Sequence, residues 1–201
     1  MTRILLAIVI ALPSLASACG GVRPVDVHDE HLPIEARRWV GGAEDAVAIA
    51  RAAVQDARLA LAETERWRTT LPRRGEIDGP AEALIRPLSE LAEARVELAE
   101  LRLDRAEAEL AFAGASLELV YAETDVRYDL GVYDLEVLRA GKDDARAELE
   151  ARAVAVDEGL VALDAASDAF WSAYREAAAS GAGDDALIWL PTERATGLLA
   201  H

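Results

Sequence analysis

The sequence predicts an all-α fold, a long antiparallel coiled-coil hairpin with an additional N-terminal helix that completes a three-helix bundle, and no β-barrel. Hydrophobic residues make up 52% of the 201-residue chain while aromatic residues make up only 5%, and the excess is alanine, leucine and valine. Chains rich in alanine, leucine, glutamate and arginine favour long helices. No segment shows the strict alternation of apolar and polar residues that indicates a half-buried strand.

The first predicted helix covers residues 34–70. Its apolar residues are spaced three and four apart, which places them on one face of a helix. They are Val40, Ala43, Val47, Ala50, Val54, Ala57 and Leu61. Segment 71–80 contains two prolines and two glycines, which a helix does not continue through, so this segment is expected to end the first helix.

The second predicted helix, residues 81–128, has two apolar rows. The first row contains Leu84, Leu88, Leu91, Ala94, Leu98, Leu101, Ala108, Phe112, Ala115, Leu119, Ala122 and Val126, with Arg105 as its one exception. The second row contains Val96, Ala99, Leu103, Ala106, Leu110, Ala113, Leu117 and Val120. At about 100° per residue the two rows lie on nearly opposite sides of the helix. A two-stranded coiled coil needs only one such row, so this helix is expected to have neighbours on both sides.

The third predicted helix covers residues 133–179 and carries a single heptad-like apolar row. The row contains Leu135, Leu138, Ala145, Leu149, Val156, Leu160, Leu163, Phe170 and Tyr174. Its length matches that of the second helix, and a short break joins the two, as an antiparallel hairpin requires. In the break, Gly131 is expected to end one helix in the left-handed conformation, and Asp134 to cap the start of the next.

Residues 1–18 are predicted to be a signal peptide. Arg3 supplies a positive start and an apolar run, 4–12, follows it; the run is too short for a permanent membrane span. Small residues precede Cys19, the only cysteine, which fits a lipobox and lipidation of Cys19. Ala16 stands where such boxes usually carry leucine, and 16–18 also fits ordinary signal peptidase, so both processing routes remain open.

Residues 19–33 are expected to form a lipidated, flexible tether, and residues 181–201 a C-terminal tail. No aspartate follows Cys19, so the periplasmic face of the outer membrane is the expected location. A net charge of −16 and a pI near 4.6 make nucleic acid a poor partner, because binding phosphates requires lysine and arginine.

No enzyme motif, cofactor site or metal site is predicted. Residues 28–31 combine two histidines with two carboxylates, but they lie in the expected tether without a third fixed ligand, so a solvated linker is the better interpretation. The helical carboxylates Glu93, Glu97, Glu100, Glu107 and Glu109 alternate with Arg95, Arg102 and Arg105, and are interpreted as a surface ion-pair lattice. No glycine elbow holds a serine nucleophile, and no glycine-rich loop follows a strand.

The break between the second and third helices resembles the periplasmic helical tip of the TolC-like outer-membrane factor family, also called outer membrane efflux proteins. The matching positions are Tyr128, Gly131, Leu135, Val137, Leu138 and Ala140, with Glu136 where the pattern has aspartate. The resemblance covers residues 84–179. That family carries two such repeats and barrel strands, whereas this sequence has one hairpin and no predicted strand, which excludes a complete channel.

The resemblance implies a hairpin whose turn points into the periplasm and contacts adaptor or channel subunits of an efflux or export assembly. The expected contact residues are Tyr128, Leu130, Gly131, Val132, Tyr133 and Asp134. The aromatic and aliphatic members of this set either face water as a contact surface or pack onto the first helix. The alternatives to a binding module are a structural spacer or self-assembling coiled-coil lipoprotein and, less favoured, a holdase chaperone. Trp67 and Trp171 are interpreted as core plugs; Trp39 and Trp189 suit the core or the membrane surface.

Overall fold

The computed structural model describes residues 21–73, 75–77, 79–128 and 130–181, and these residues form an all-α fold without strands, as predicted. Helix α1 covers Ile34–Thr69, α2 covers Ile85–Arg127 and α3 covers Leu135–Ala179. A 3₁₀ helix, Gly79–Leu84, leads directly into α2. At about 1.5 Å per residue, α2 and α3 are each about 65 Å long.

Helix α2 lies between the other two and runs antiparallel to both. Its contacts are with α1 on one side and α3 on the other, while α1 and α3 hardly contact each other. The prediction that α2 has neighbours on both sides is therefore confirmed. An open groove remains over the middle of α2, between Ala53 and Ala57 of α1 and Leu160 of α3.

Small residues allow the helices to approach closely at both interfaces. On the α1 side, Val47 and Ala50 pack against Ala113, with leucines of the second apolar row around them. On the α3 side, Gly159 is buried, and a Cβ built there would lie 2.7 Å from Leu101 Cδ1. A side chain at position 159 would have to displace the terminal methyl groups of Leu101 and Leu98.

The end of the molecule away from the hairpin turn holds an aromatic cluster. Phe170 is fully buried with Leu88 and Leu91, and Trp67 packs half-buried against them with the Arg95 guanidinium 4.8 Å from its ring centre. Trp171 is 41% exposed, so its interpretation as a core plug is wrong. Its ring leans edge-on against those of its neighbours on α3 instead of filling the interior.

Ion pairs join the helices across their exposed edges. Arg58 of α1 meets Glu107 of α2 at 2.8 Å, and two α3 arginines reach α2 carboxylates. The prediction of an ion-pair lattice within α2 is wrong for the described residues: Glu107 pairs with Arg58 of α1, and none of the predicted glutamates pairs with Arg95, Arg102 or Arg105. Exposed ion pairs such as Arg58–Glu107 each contribute at most about 1 kcal/mol to stability.

Two arginines of α2 lie partly inside the bundle. Burial lowers the pKa of Arg95 and of Arg102, and no carboxylate counteracts this effect.

Candidate functional site at the hairpin tip

The chain reverses direction at the tip through two backbone hydrogen bonds. The Tyr128 amide donates to the Thr124 carbonyl at 3.1 Å, and the Leu130 amide donates to the Asp125 carbonyl at 2.8 Å. The second bond spans five residues and turns the chain away from the helix axis without a left-handed glycine. The described glycines with positive φ are Gly75, Gly79 and Gly181, so the predicted left-handed conformation of Gly131 is wrong.

Gly131 is nevertheless constrained, by space and not by backbone conformation. A Cβ at this position would lie 2.9 Å from Cε2 of Tyr133 and 3.4 Å from Oδ2 of Asp125. Any side chain there would push the Tyr133 ring out of its place beside Asp125.

Asp134 caps α3 as predicted. Its carboxylate accepts hydrogen bonds from the amides of Glu136, at 3.1 Å, and Val137, at 3.2 Å. These amides have no partner within the helix, so the cap satisfies two donors and also places a negative charge at the positive end of the helix dipole.

Only half of the apolar residues that were expected to form a contact surface at the turn are exposed. Val132 is 98% exposed and Leu130 is 60% exposed, whereas Tyr128 and Tyr133 are half-buried. Both tyrosines point their rings toward the protein, so they support the tip from within. Val137, 64% exposed on the first turn of α3, extends the apolar surface beyond the turn.

The N-terminal segment, residues 21–33, is bound to the tip and does not extend freely as a tether. Val25 and Leu32 are buried against Val40 in a cluster that Tyr128 and other residues of α2 complete. The histidine-containing part of this segment forms turns. In these turns the carboxylates of Asp26 and Asp29 accept hydrogen bonds from the backbone amides of His28 and His31. Among the described residues no three potential metal ligands lie together.

A polar network joins the segment to the turn. The Tyr133 hydroxyl donates to Oδ2 of Asp125 at 3.0 Å, and the Arg23 amide donates to the same hydroxyl oxygen at 3.3 Å. Asp125 is only 6% exposed, so its carboxylate depends on this partner. The network holds residue 23 at the hairpin turn.

Two further contacts tie α1 to the same end of the molecule. The Tyr121 hydroxyl donates to Oε1 of Glu44 at 2.7 Å, and burial together with this carboxylate raises the pKa of Tyr121 to about 12. The guanidinium of Arg127 lies 5.9 Å from the ring centre of Trp39, whose side chain is 39% exposed.

Sequence patterns therefore predicted the turn and its cap, but not the binding of the N-terminal segment, residues 21–33, to them. Val22, Val25, Val27 and Leu32 are the signal for that segment, since a fully solvated tether does not need four large aliphatic residues within eleven positions. Cys19, the predicted signal peptide 1–18, Trp189 and all but the first residue of the predicted tail 181–201 lie outside the described residues.

Comparison with protein-family models, curated proteins and solved structures finds no match to this chain. Among the described helices, none combines the length and the apolar character needed to cross a membrane.

Proposed function

We propose that this chain is a non-enzymatic envelope lipoprotein, held to the periplasmic face of the outer membrane by a lipid on Cys19, whose helical hairpin contacts components of an efflux or export assembly. The partners in this proposal are adaptor or channel subunits that present helical hairpins of their own. No cofactor takes part.

The exposed tip is the observation that carries the proposal. Val132 and Leu130 are exposed to water at the end of a stiff hairpin, whereas the tyrosines of the same turn are half-buried. Leaving large aliphatic side chains in water forgoes about 1.5–3 kcal/mol each, so an exposed apolar tip is typical of a contact surface.

The resemblance of 128–140 to TolC-like tips supports a partner with helical hairpins. In the structure, the positions that carry the resemblance divide into two roles. Tyr128 and Gly131 shape the turn by packing and close approach, and Val137 adds to the exposed surface.

Site-specific photocrosslinking in cells tests the proposal. A photoreactive side chain at position 132 should crosslink to a specific envelope protein, and Leu130→Asp should abolish that crosslink and sensitise cells to an exported compound. Position 59 is the matched control, because Leu59 is 64% exposed on α1 but lies far from the turn. Equal crosslinking at both positions, or none at 132, would reject the tip as a docking surface.

A self-assembling coiled-coil lipoprotein is the second candidate. Val154 and Val161 lie one heptad apart on the outward face of α3 and are 57% and 70% exposed. Such spacing suits a further helix. Sedimentation of the purified chain distinguishes the two: a stable oligomer that Val161→Asp dissociates would favour self-assembly.

A further inference from the structure

We infer that the hairpin tip is the end of the rod that lies on the membrane, so that its apolar residues contact the head-group region of the bilayer. The inference goes beyond the proposed function and rests on its lipid at Cys19. It assigns Leu130 and Val132 to the surface of the membrane that holds the lipid, and not to a helical hairpin of a protein partner.

The position of the N-terminal segment carries the first step. Cys19 lies four residues before Arg23, whose amide is 3.3 Å from the Tyr133 hydroxyl at the tip. Four residues span at most about 14 Å even when fully extended. A lipid on Cys19 is therefore confined to the neighbourhood of the tip. The resemblance implies the reverse orientation, in which the turn points away from the outer membrane.

The packing of the segment makes this placement stable. Val25 and Leu32 are buried against the start of α1 and the end of α2, and the Tyr133 hydroxyl accepts the Arg23 amide. Releasing the tether would expose both aliphatic side chains to water. The lipid is thus attached next to a packed segment and not at the end of a free linker.

Exposed apolar residues are concentrated at this same end, which is the second, independent observation. Of the eleven large hydrophobic residues that are exposed in the described part of the chain, six lie on the first two turns of α1 or α3, the last turn of α2 or the turn itself. They are Ile34, Trp39, Val126, Leu130, Val132 and Val137.

The chemistry of this surface fits a bilayer interface. Tryptophan and arginine are favoured at the head-group level, and Trp39 lies beside Arg127 here. The apolar side chains add buried area at the interface, and membrane binding strengthens as that area grows. Since the chain carries a net charge of −16, a zwitterionic surface suits it better than an anionic one.

Fluorescence quenching in vesicles tests the inference. The full, processed chain carries Val132→Cys or Val161→Cys, is labelled with an environment-sensitive fluorophore, and is reconstituted into phosphatidylcholine vesicles with brominated acyl chains. We expect the label at position 132 to shift to the blue and to be quenched several-fold more than the label at 161, about 39 Å further along α3. Equal quenching at both positions means a rod lying flat, and no quenching at 132 means a tip pointing away; either overturns the inference.

Two further measurements separate this inference from the proposed function. Labelling of the wild-type chain with the same thiol reagent would show a free Cys19 and defeat the lipid anchor, whatever the quenching. Val25→Asp should free the N-terminal segment and lower quenching at 132 while palmitate incorporation stays unchanged. Unchanged quenching in that variant would show that the segment does not orient the tip.

Discussion

Gly159 and Gly141 lie on the same helix in opposite surroundings, and they predict different effects of one substitution. A Cβ at Gly159 would lie 2.7 Å from Leu101 Cδ1, whereas a Cβ at Gly141 meets nothing within 4 Å. Gly141→Ala should stabilise the fold by about 0.5–1 kcal/mol, because alanine is the better helix former. Gly159→Ala should stabilise the fold less than Gly141→Ala, because the terminal methyl groups of Leu101 and Leu98 have to move and this cost offsets the gain in helix propensity. Urea unfolding of both variants checks this, and equal stabilisation by the two substitutions would show that α3 is free to shift.

Tyr121 predicts a pH dependence at the same scale. Its folded pKa is raised to about 12 from an ordinary value of 10.0, so the folded state keeps a proton that the unfolded state releases first. The contribution of the Tyr121 hydroxyl to the free energy of unfolding is fully present below about pH 10 and is lost as the pH rises to about 12. The difference in unfolding free energy between wild type and Tyr121→Phe should therefore shrink from pH 9 to pH 12. A constant difference would contradict the Glu44 interaction.

Residue-level chemistry is also where sequence reasoning failed at the turn. A glycine that follows a helix most often takes the left-handed conformation, which predicted positive φ for Gly131. The turn uses the bond from the Leu130 amide to the Asp125 carbonyl instead, and glycine is needed because Tyr133 comes close. The contact between position 131 and the Tyr133 ring depends on the folded position of that ring, which the local sequence pattern does not predict.

At the scale of the elements, the helices and their partners could be predicted, because apolar spacing determines which faces must be buried. The two rows of α2 meet different helices: Leu101 faces Gly159 of α3, and Leu110 packs beside Val47 of α1. The N-terminal segment could not be predicted as an element, because its aliphatic residues have no helical or strand period. Only the surface formed by α1 and α2 together gives them a place to bind.

Charge substitutions in the two rows test this arrangement. Leu101→Asp and Leu110→Asp should each cost about 2–4 kcal/mol, because each places an unpaired charge in a different interface. Leu59→Asp is the control, since Leu59 is 64% exposed on α1 and its change should stay within about 0.5 kcal/mol. Denaturant melts followed by circular dichroism give all three values. If Leu110→Asp were as mild as Leu59→Asp, α1 would not be packed on α2 in solution.

At the scale of the whole molecule, α2 is the central helix, and the N-terminal segment and the end of α3 lie in different surroundings. The N-terminal segment lies at the tip, and α3 ends at the opposite end, where Ala177 packs against Leu84. The rod therefore has two unlike ends, one apolar and exposed around Val132 and one closed by the aromatic cluster of Phe170. A lipid on Cys19, as proposed above, would attach the rod by its exposed end.

The attachment itself is the last prediction and the one on which orientation depends. Cys19 is the only cysteine, so a thioether-linked lipid there would account for an exported thiol that has no disulfide partner within the chain. Labelled palmitate should be incorporated into the wild-type chain, and the protein should fractionate with the outer membrane. Cys19→Ala should give an unprocessed or soluble form with unchanged helicity, because position 19 precedes the packed segment. If Cys19→Ala is processed and recovered with membranes like the wild type, the lipid is absent, and any membrane contact would have to come from the tip alone.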